Sequence, residues 1–314
     1  MSLVYDCFLF FNELDLLEIR FNVLSEQVDK FVLVEADRTF TNKEKKFYFD
    51  ENKERYKPFL DKIIHIKISE YPDKIEDAWR MQDYQRDQII RGIENCSPSD
   101  IILISDLDEI TNPEAIKQYK ETDSGICRLK QLHFDYYLNY QRCGKNHYWY
   151  SAKIAKYKDM LLNNYSPQNI RSLKDLKVIK NGGWHFSFLG NIESIIYKIQ
   201  SISMQKWNNE KYLNDRLEYK IRMGLDLFDR KNIRLIPIKI SNKKHPKYIV
   251  NNQEKYSHLI FPHINRFIVI KNTLYCVPYY IAYAIKQFIK TLLPKKLTGW
   301  IKNFLNRSQK KGTE

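Results

Sequence analysis

Glycine and proline are scarce in this chain, nine and ten among 314 residues, and neither recurs at a fixed spacing. Collagen-like, repeat and low-complexity architectures are excluded. Cysteine is as sparse: Cys7, Cys96, Cys127, Cys143 and Cys276 are odd in number, widely separated and without a Cys-x-x-Cys pair, and no histidine stands at zinc-ligand spacing. That pattern predicts neither a disulfide framework nor structural zinc, and it points to a reducing, cytoplasmic setting. Long hydrophobic runs are missing too. The longest, Tyr279 to Ile285, falls far short of the ~20 residues that cross a bilayer. Asp6 interrupts the apolar start of the chain and no basic segment precedes it, so no cleaved signal is expected.

What the chain does have is apolar and aromatic content: 43% of residues are hydrophobic, with 22 Tyr and 17 Phe. A chain of this length can bury roughly 75% of its extended surface, enough for a sizeable core. Its charge is +14, from 52 Lys and Arg against 38 Asp and Glu. The excess is uneven. Ten Lys and Arg against the single acid Glu314 fall in 265–314, which leaves only +5 for 1–264. A nucleic-acid footprint is not expected, because no recognised module accompanies the basic end.

Short apolar runs alternate with helical patterns through the first 120 residues: Leu3 to Phe11, Lys30 to Val34, Lys62 to Ile68 and Ile101 to Ser105 read as strands. A helix capped by Asn12 and another over Asp77 to Glu94 are expected between them. Such alternation predicts an α/β domain with a central, mostly parallel sheet flanked by helices, its ligands at the carboxyl ends of the strands. After Gly125 the pattern turns mixed. Ile126 to Tyr140 alternates, Gly182-Gly183 reads as a turn, helices are expected from Asn191 and over Glu210 to Met223, and Arg234 to Ile240 reads as a late strand. Residues 1–264 are expected to form one domain.

The sharpest local feature is Ile101-Ile102-Leu103-Ile104-Ser105-Asp106-Leu107-Asp108-Glu109, an apolar strand ending in acids. On an extended backbone, Asp106 and Asp108 point to one side while Leu107 returns to the core. Two carboxylates on one face suit Mg²⁺ or Mn²⁺, which completes its shell with water and phosphate oxygens, or else mark a solvated acidic loop. A haloacid-dehalogenase-like phosphatase fits poorly, since Ile110 stands where that pattern has Thr or Val. A GT-A nucleotide-sugar transferase fits better, with Arg86 on the preceding helix able to meet a diphosphate or to form a surface salt bridge.

Four ordered blocks carry a resemblance. They are Tyr5-Asp6-Cys7-Phe8-Leu9-Phe10-Phe11-Asn12-Glu13, Val34-Glu35-Ala36-Asp37-Arg38-Thr39-Phe40-Thr41, Ile104-Ser105-Asp106-Leu107-Asp108-Glu109-Ile110, and Gly182-Gly183-Trp184-His185-Phe186-Ser187-Phe188-Leu189-Gly190. Together they resemble glycosyltransferase family 17, over most of 1–264. The resemblance implies a GT-A-like fold, a UDP-sugar donor (N-acetylglucosamine in the eukaryotic members), inversion at the anomeric carbon, and Mn²⁺ dependence. On that reading Asp108 ligates the metal, Asp106 bonds to its water or to the ribose, and His185 is a third ligand, a phosphate hydrogen-bond donor or a core histidine. Glu35, Thr39, Phe40 and Arg86 line the nucleotide pocket, with Lys43 and Lys45 beside it. Glu193 and Asp226 are the candidate bases for the acceptor hydroxyl, although an acid in a helix's first turn, such as Glu193, is also explained by the helix dipole. Two departures stand out: Asn42-Lys43-Glu44-Lys45 replaces an expected Gly-Lys-Pro-Lys, and Ser203-Met204-Gln205-Lys206 replaces an expected Ser-His-x-Glu. The second leaves a non-catalytic carbohydrate- or nucleotide-binding protein as the alternative.

Residues 265–314 are expected to form a basic amphipathic helical extension. Ile281, Ala284, Ile285, Phe288, Ile289, Leu292 and Leu293 share one helical face, and Leu297, Trp300, Ile301, Phe304 and Leu305 repeat the pattern after Pro294. Such helices either lie in an anionic membrane interface, here through 279–311, or pack on the domain or on a second subunit. The sequence therefore predicts a metal-dependent, inverting glycosyltransferase acting on a cell-surface polysaccharide or lipid-linked glycan, with Mn²⁺ or Mg²⁺ as cofactor, at the inner face of the cytoplasmic membrane.

Overall fold

The computed structural model describes residues 2–292 apart from 76, 123 and 263. Eleven strands form one sheet: β1 (Val4–Phe10), β2 (Lys30–Ala36), β3 (Ile63–Ile68), β4 (Ile101–Asp106), β5 (Glu109–Thr111), β6 (Cys127–Asp135), β7 (Tyr140–Gly144), β8 (Tyr148–Trp149), β9 (Lys153–Lys156), β10 (Lys177–Ser187) and β11 (Ile233–Pro237). The main path runs β11-β7-β6-β9-β4-β1-β2-β3. β1 pairs in parallel with β2 and β4, and β2 with β3. From β9 onward most pairings are antiparallel, with β6 joined to β7, β8 and β9; the exception is the parallel β6–β10 pair. The sheet is thus mixed, and the mostly parallel expectation holds only for its first half. From β6 to β9 short connections reverse the chain, where the first half uses helical crossovers that keep strands parallel.

β1 shows how the sequence builds the two cores. Val4, Phe8 and Phe10 face the Leu14–Leu24 helix, while Tyr5 and Cys7 face the opposite cluster with Ile89 and Ile93. This two-residue period of a strand buried on both faces gives a near-continuous apolar run. The Leu14–Leu24 helix starts one residue later than expected: Glu13 holds the cap position without a capping bond, because its carboxylate turns to Lys198 at 2.9 Å. The predicted Asp77–Glu94 helix divides into Ala78–Asp87 and Ile90–Ile93, and the break aims Ile89 and Ile93 into the core. Of the Glu210–Met223 helix only Leu217–Arg222 forms. Upstream, the amides of Asn209 and Asn214 bond to nearby backbone and compete with helix formation.

Gly182-Gly183 is not a turn. Both glycines lie inside β10, beside a shift in register between Ile179 and Gly183. Gly183 has φ +129°, and a Cβ there would stand 2.1 Å from the carbonyl oxygen of Ile110. Only glycine allows β10 to approach β5 so closely. The helix Arg266–Leu292 starts well before the predicted apolar face and packs on β11 and β7. The second predicted face, Leu297 to Leu305, lies outside the described residues. Among those described, no helix is long and apolar enough to cross a membrane.

Candidate active site

The carboxyl ends of β1, β2 and β4 come together at one edge of the sheet, where open α/β sheets place their ligands. There the chain lines a cavity of ≈ 440 Å³ with Phe11 and Glu13 after β1, Arg38, Thr39 and Phe40 after β2, and Asp106, Leu107 and Asp108 at the end of β4. Its walls carry seven Arg and Lys (Arg38, Lys45, Arg86, Arg142, Arg171, Lys198, Arg230) against three carboxylates (Glu13, Asp106, Asp108). Buried acids behind the wall pair with four of these cations (Glu35 with Lys45, Asp135 with Arg142, Glu109 with Arg171, Asp226 with Arg230), so the lining offers positioned donors suited to an anionic ligand rather than a large net charge.

The acidic strand end is a tight turn between β4 and β5, with Leu107 buried as expected. Arg20 holds it from beneath. Its Nη1 donates to the backbone carbonyls of Asp106, Leu107 and Glu109 at 3.0, 2.9 and 3.1 Å. Its Nε and Nη2 donate to Asp6 at 2.8 and 2.6 Å, and Nη2 also reaches Ser105 Oγ at 2.6 Å. Arg20 and Asp6 are wholly buried, so the polar residue within the apolar β1 block exists to orient the turn.

The two aspartates have different partners. Asp106 accepts from Arg86 Nη2 at Oδ1, 2.8 Å, and from Arg171 Nη2 at Oδ2, 2.7 Å. Burial would raise its pKa, but the Arg171 and Arg86 guanidiniums outweigh burial and hold it at about 2. Asp108 faces Lys198 Nζ at 2.9 Å and His185 Nε2 at 3.5 Å; burial would raise its pKa, but the Lys198 ammonium and the neighbouring imidazole outweigh burial and keep it ionised well below the usual carboxylate range. Lys198 bridges Asp108 and Glu13; burial opposes its charge, and the two acids more than offset this, raising its pKa. His185 arrives through the β10–β5 register, directly opposite Glu109. Trp149 stacks on its ring at 4.6 Å and donates its indole N–H to Glu109.

A depressed carboxylate stabilises the fold at any pH above its unfolded value, about 3.9 for Asp, and loses that contribution as pH falls through its folded value. For Asp106 the window runs from about 4 down to about 2. Asp106→Asn is therefore expected to be less stable than wild type at about pH 5, with the gap closing by about pH 2, in urea unfolding followed by tryptophan fluorescence. A gap that stays constant with pH would show that the pairs with Arg86 and Arg171 stabilise nothing.

Thr39, Phe40, Lys45, Arg86, Asp106, Asp108 and His185 all line the cavity. Glu35 does not; it is buried beneath, accepting from Phe49 N at 3.1 Å and lying 3.6 Å from Lys45 Nζ, so it positions that lysine. Lys43 is exposed outside the cavity, and its backbone carbonyl accepts from Thr39 N. In the altered turn Asn42 sits at φ +62°, a left-handed conformation that Asn tolerates better than most residues other than glycine. Glu193 lies exposed on the Ile192–Ser201 helix, away from the cavity lining. Asp226 is buried and fully engaged, accepting from Phe228 N, Arg230 N and the Arg230 side chain. Neither presents a free carboxylate to the cavity.

Sequence reasoning missed Arg171, Lys198, Trp149 and Glu13. Lys198 left a signal, since it lies three residues after Ile195 and one before Ile199, on the buried side of its helix.

A family model described as "Glycosyltransferase family 17" matches residues 1–266. Among curated proteins, the β-1,4-mannosyl-glycoprotein 4-β-N-acetylglucosaminyltransferases of Homo sapiens and Rattus norvegicus are each 24% identical over 291 residues, 79% of this chain and 53% of their own length. The chain thus spans about half the length of the curated relatives it matches. A solved structure, the mannosyltransferase PcManGT from Pyrobaculum calidifontis in complex with GDP-Man and Mn²⁺, covers 95% of this chain and 82% of its own, at 11% identity and a TM-score of 0.36, too slight a likeness to argue from. The family match encloses every residue that lines the cavity, and the chain belongs to glycosyltransferase family 17.

Proposed function

We propose that the cavity binds a UDP-sugar, with N-acetylglucosamine as the first candidate, and transfers the sugar to a glycan hydroxyl with inversion, on a GT-A-like domain formed by 1–264. The observation that carries this reading is the cationic wall around Asp106 and Asp108, at the strand ends where such a sheet binds nucleotides. The names of the mammalian relatives support the choice of sugar. Lys45, Arg171 and Lys198 neutralise the diphosphate, while Thr39 and Phe40 wall the nucleoside side.

Mn²⁺ or Mg²⁺ would be held at Asp108, sharing that carboxylate with the Lys198 ammonium, which lies 2.9 Å from Oδ2. Among the described residues no group of three or more His, Cys, Asp or Glu side chains forms a metal site. The Asp108 carboxylate and the His185 imidazole instead suit a cation that takes most of its shell from water and a diphosphate. When bound, the cation supplies Lewis-acid stabilisation of charge on the departing nucleotide. Asp106 keeps both oxygens on guanidiniums and thereby fixes Arg86 and Arg171 against the cavity.

The test is nucleotide release from a panel of UDP- and GDP-sugars with a mixed glycan acceptor, in Mn²⁺, Mg²⁺ or chelator. Turnover is expected with UDP-N-acetylglucosamine and lost on chelation. Undiminished turnover in chelator would overturn the metal assignment, and turnover confined to GDP-sugars would overturn the donor.

A further inference from the structure

The helix Arg266–Leu292 buries one narrow face and leaves the opposite one open. Ile268, Asn272 and Cys276, spaced four apart, face β7 and β11; the Asn272 amide donates to the Leu235 carbonyl at 2.9 Å, and Cys276 Sγ lies 3.1 Å from Cys143 Sγ. On the far side Phe267, Ile270, Leu274, Val277, Ile281 and Ile285 recur at intervals of three and four, and all are exposed, Phe267 at 68% and Leu274 at 63%. At 1.5 Å per residue this apolar stripe runs for about 27 Å. A contiguous strip of that kind marks a docking surface.

Charge decides the occupant. Arg266, Lys271 and Lys286 are exposed along the same helix, and no acid occurs anywhere from Asn265 to Thr313. A second copy would set the three cations along this stripe, Arg266, Lys271 and Lys286, against the same three with no acid on either helix to pair with them. An anionic bilayer accepts both components, the stripe into its acyl boundary and the lysines at its headgroups. We propose that the Phe267–Ile285 stripe docks this protein on anionic lipid. This moves the contact onto 267–285 from the predicted 279–311, and it goes beyond the transfer reaction, on which it does not depend.

Docking by this face leaves the catalytic cavity open. Along β7, Arg142 lines the cavity while the next residue, Cys143, turns to the helix, so the two lie on opposite sides of that strand.

The experiment is flotation of the full chain with phosphatidylcholine vesicles, with or without about 30% phosphatidylglycerol, for wild type and Leu274→Glu/Ile281→Glu. Wild type is expected to float with the anionic vesicles only and to be released in high salt. The double variant should partition at least tenfold more weakly, with unchanged circular dichroism and unchanged turnover on a water-soluble acceptor. Equal flotation of the two proteins, or none by wild type, overturns the proposal. Without flotation, a wild-type dimer in sedimentation that the variant dissolves identifies a second copy as the occupant. A loss of thermal stability in the variant, again without flotation, identifies residues 293–314 as the occupant.

Discussion

Asp108→Asn is expected to lower kcat/KM by roughly 10³-fold, about 4 kcal/mol of transition-state stabilisation. Asparagine keeps the shape of the side chain and removes the one charge that Lys198 and His185 both face. The fold survives, because Lys198 keeps its 2.9 Å partner Glu13 and the turn is held from below by Arg20 rather than by the Asp108 side chain. The effect should therefore appear in kcat/KM in a protein that still folds, with the urea midpoint lowered above about pH 4, because the depressed Asp108 carboxylate also stabilises the fold. Two companion variants sharpen the result. Glu193→Gln, on an exposed helical turn outside the cavity, should leave turnover within about twofold of wild type, in the range of neutral surface changes. Asp226→Asn should show itself as a lower unfolding midpoint, since its carboxylate anchors two backbone N–H groups and Arg230. Retention of more than a tenth of wild-type activity by Asp108→Asn would remove Asp108 from the chemistry.

The parts of this site legible in the sequence share one property, that the signal is local. An apolar run stopping at Asp106 announces a buried strand with its acids at the carboxyl end, and Arg86 follows from one helix turned toward that end. Arg171, Lys198 and Trp149 instead reach the same few ångströms from 40 to 90 residues away. They come through the antiparallel half of the sheet and two later helices, and no local pattern encodes their convergence. Gly182-Gly183 was misleading for a related reason. Two glycines read locally as a turn, yet the constraint they meet is tertiary, the approach of the Ile110 carbonyl. Asn42 shows the opposite case. Its departure from glycine looks disruptive in sequence and is harmless once its backbone angle is known.

Arg20→Met is expected to destabilise the protein by about 4 kcal/mol, within the 3–5 kcal/mol that follows from breaking a buried ion pair. The change leaves the Asp6 carboxylate without its cation inside the sheet and strips three backbone carbonyls of their shared donor. Methionine fills much of the vacated space beside Phe8, over whose ring the guanidinium now lies at 4.4 Å, so the loss is electrostatic more than steric. A second substitution separates folding from function. Asp6→Leu in the Arg20→Met background removes the unpaired charge and should recover most of the urea midpoint, as apolar replacements of buried pairs commonly do. It cannot restore the bonds to the Asp106, Leu107 and Glu109 carbonyls, so the turn that presents Asp106 and Asp108 stays unclamped. The double variant should then be folded yet at least tenfold slower, because loosened positioning of catalytic groups costs rate even where the groups themselves remain. A double variant with wild-type turnover would reduce Arg20 to a core ion pair with no part in orienting the acidic turn.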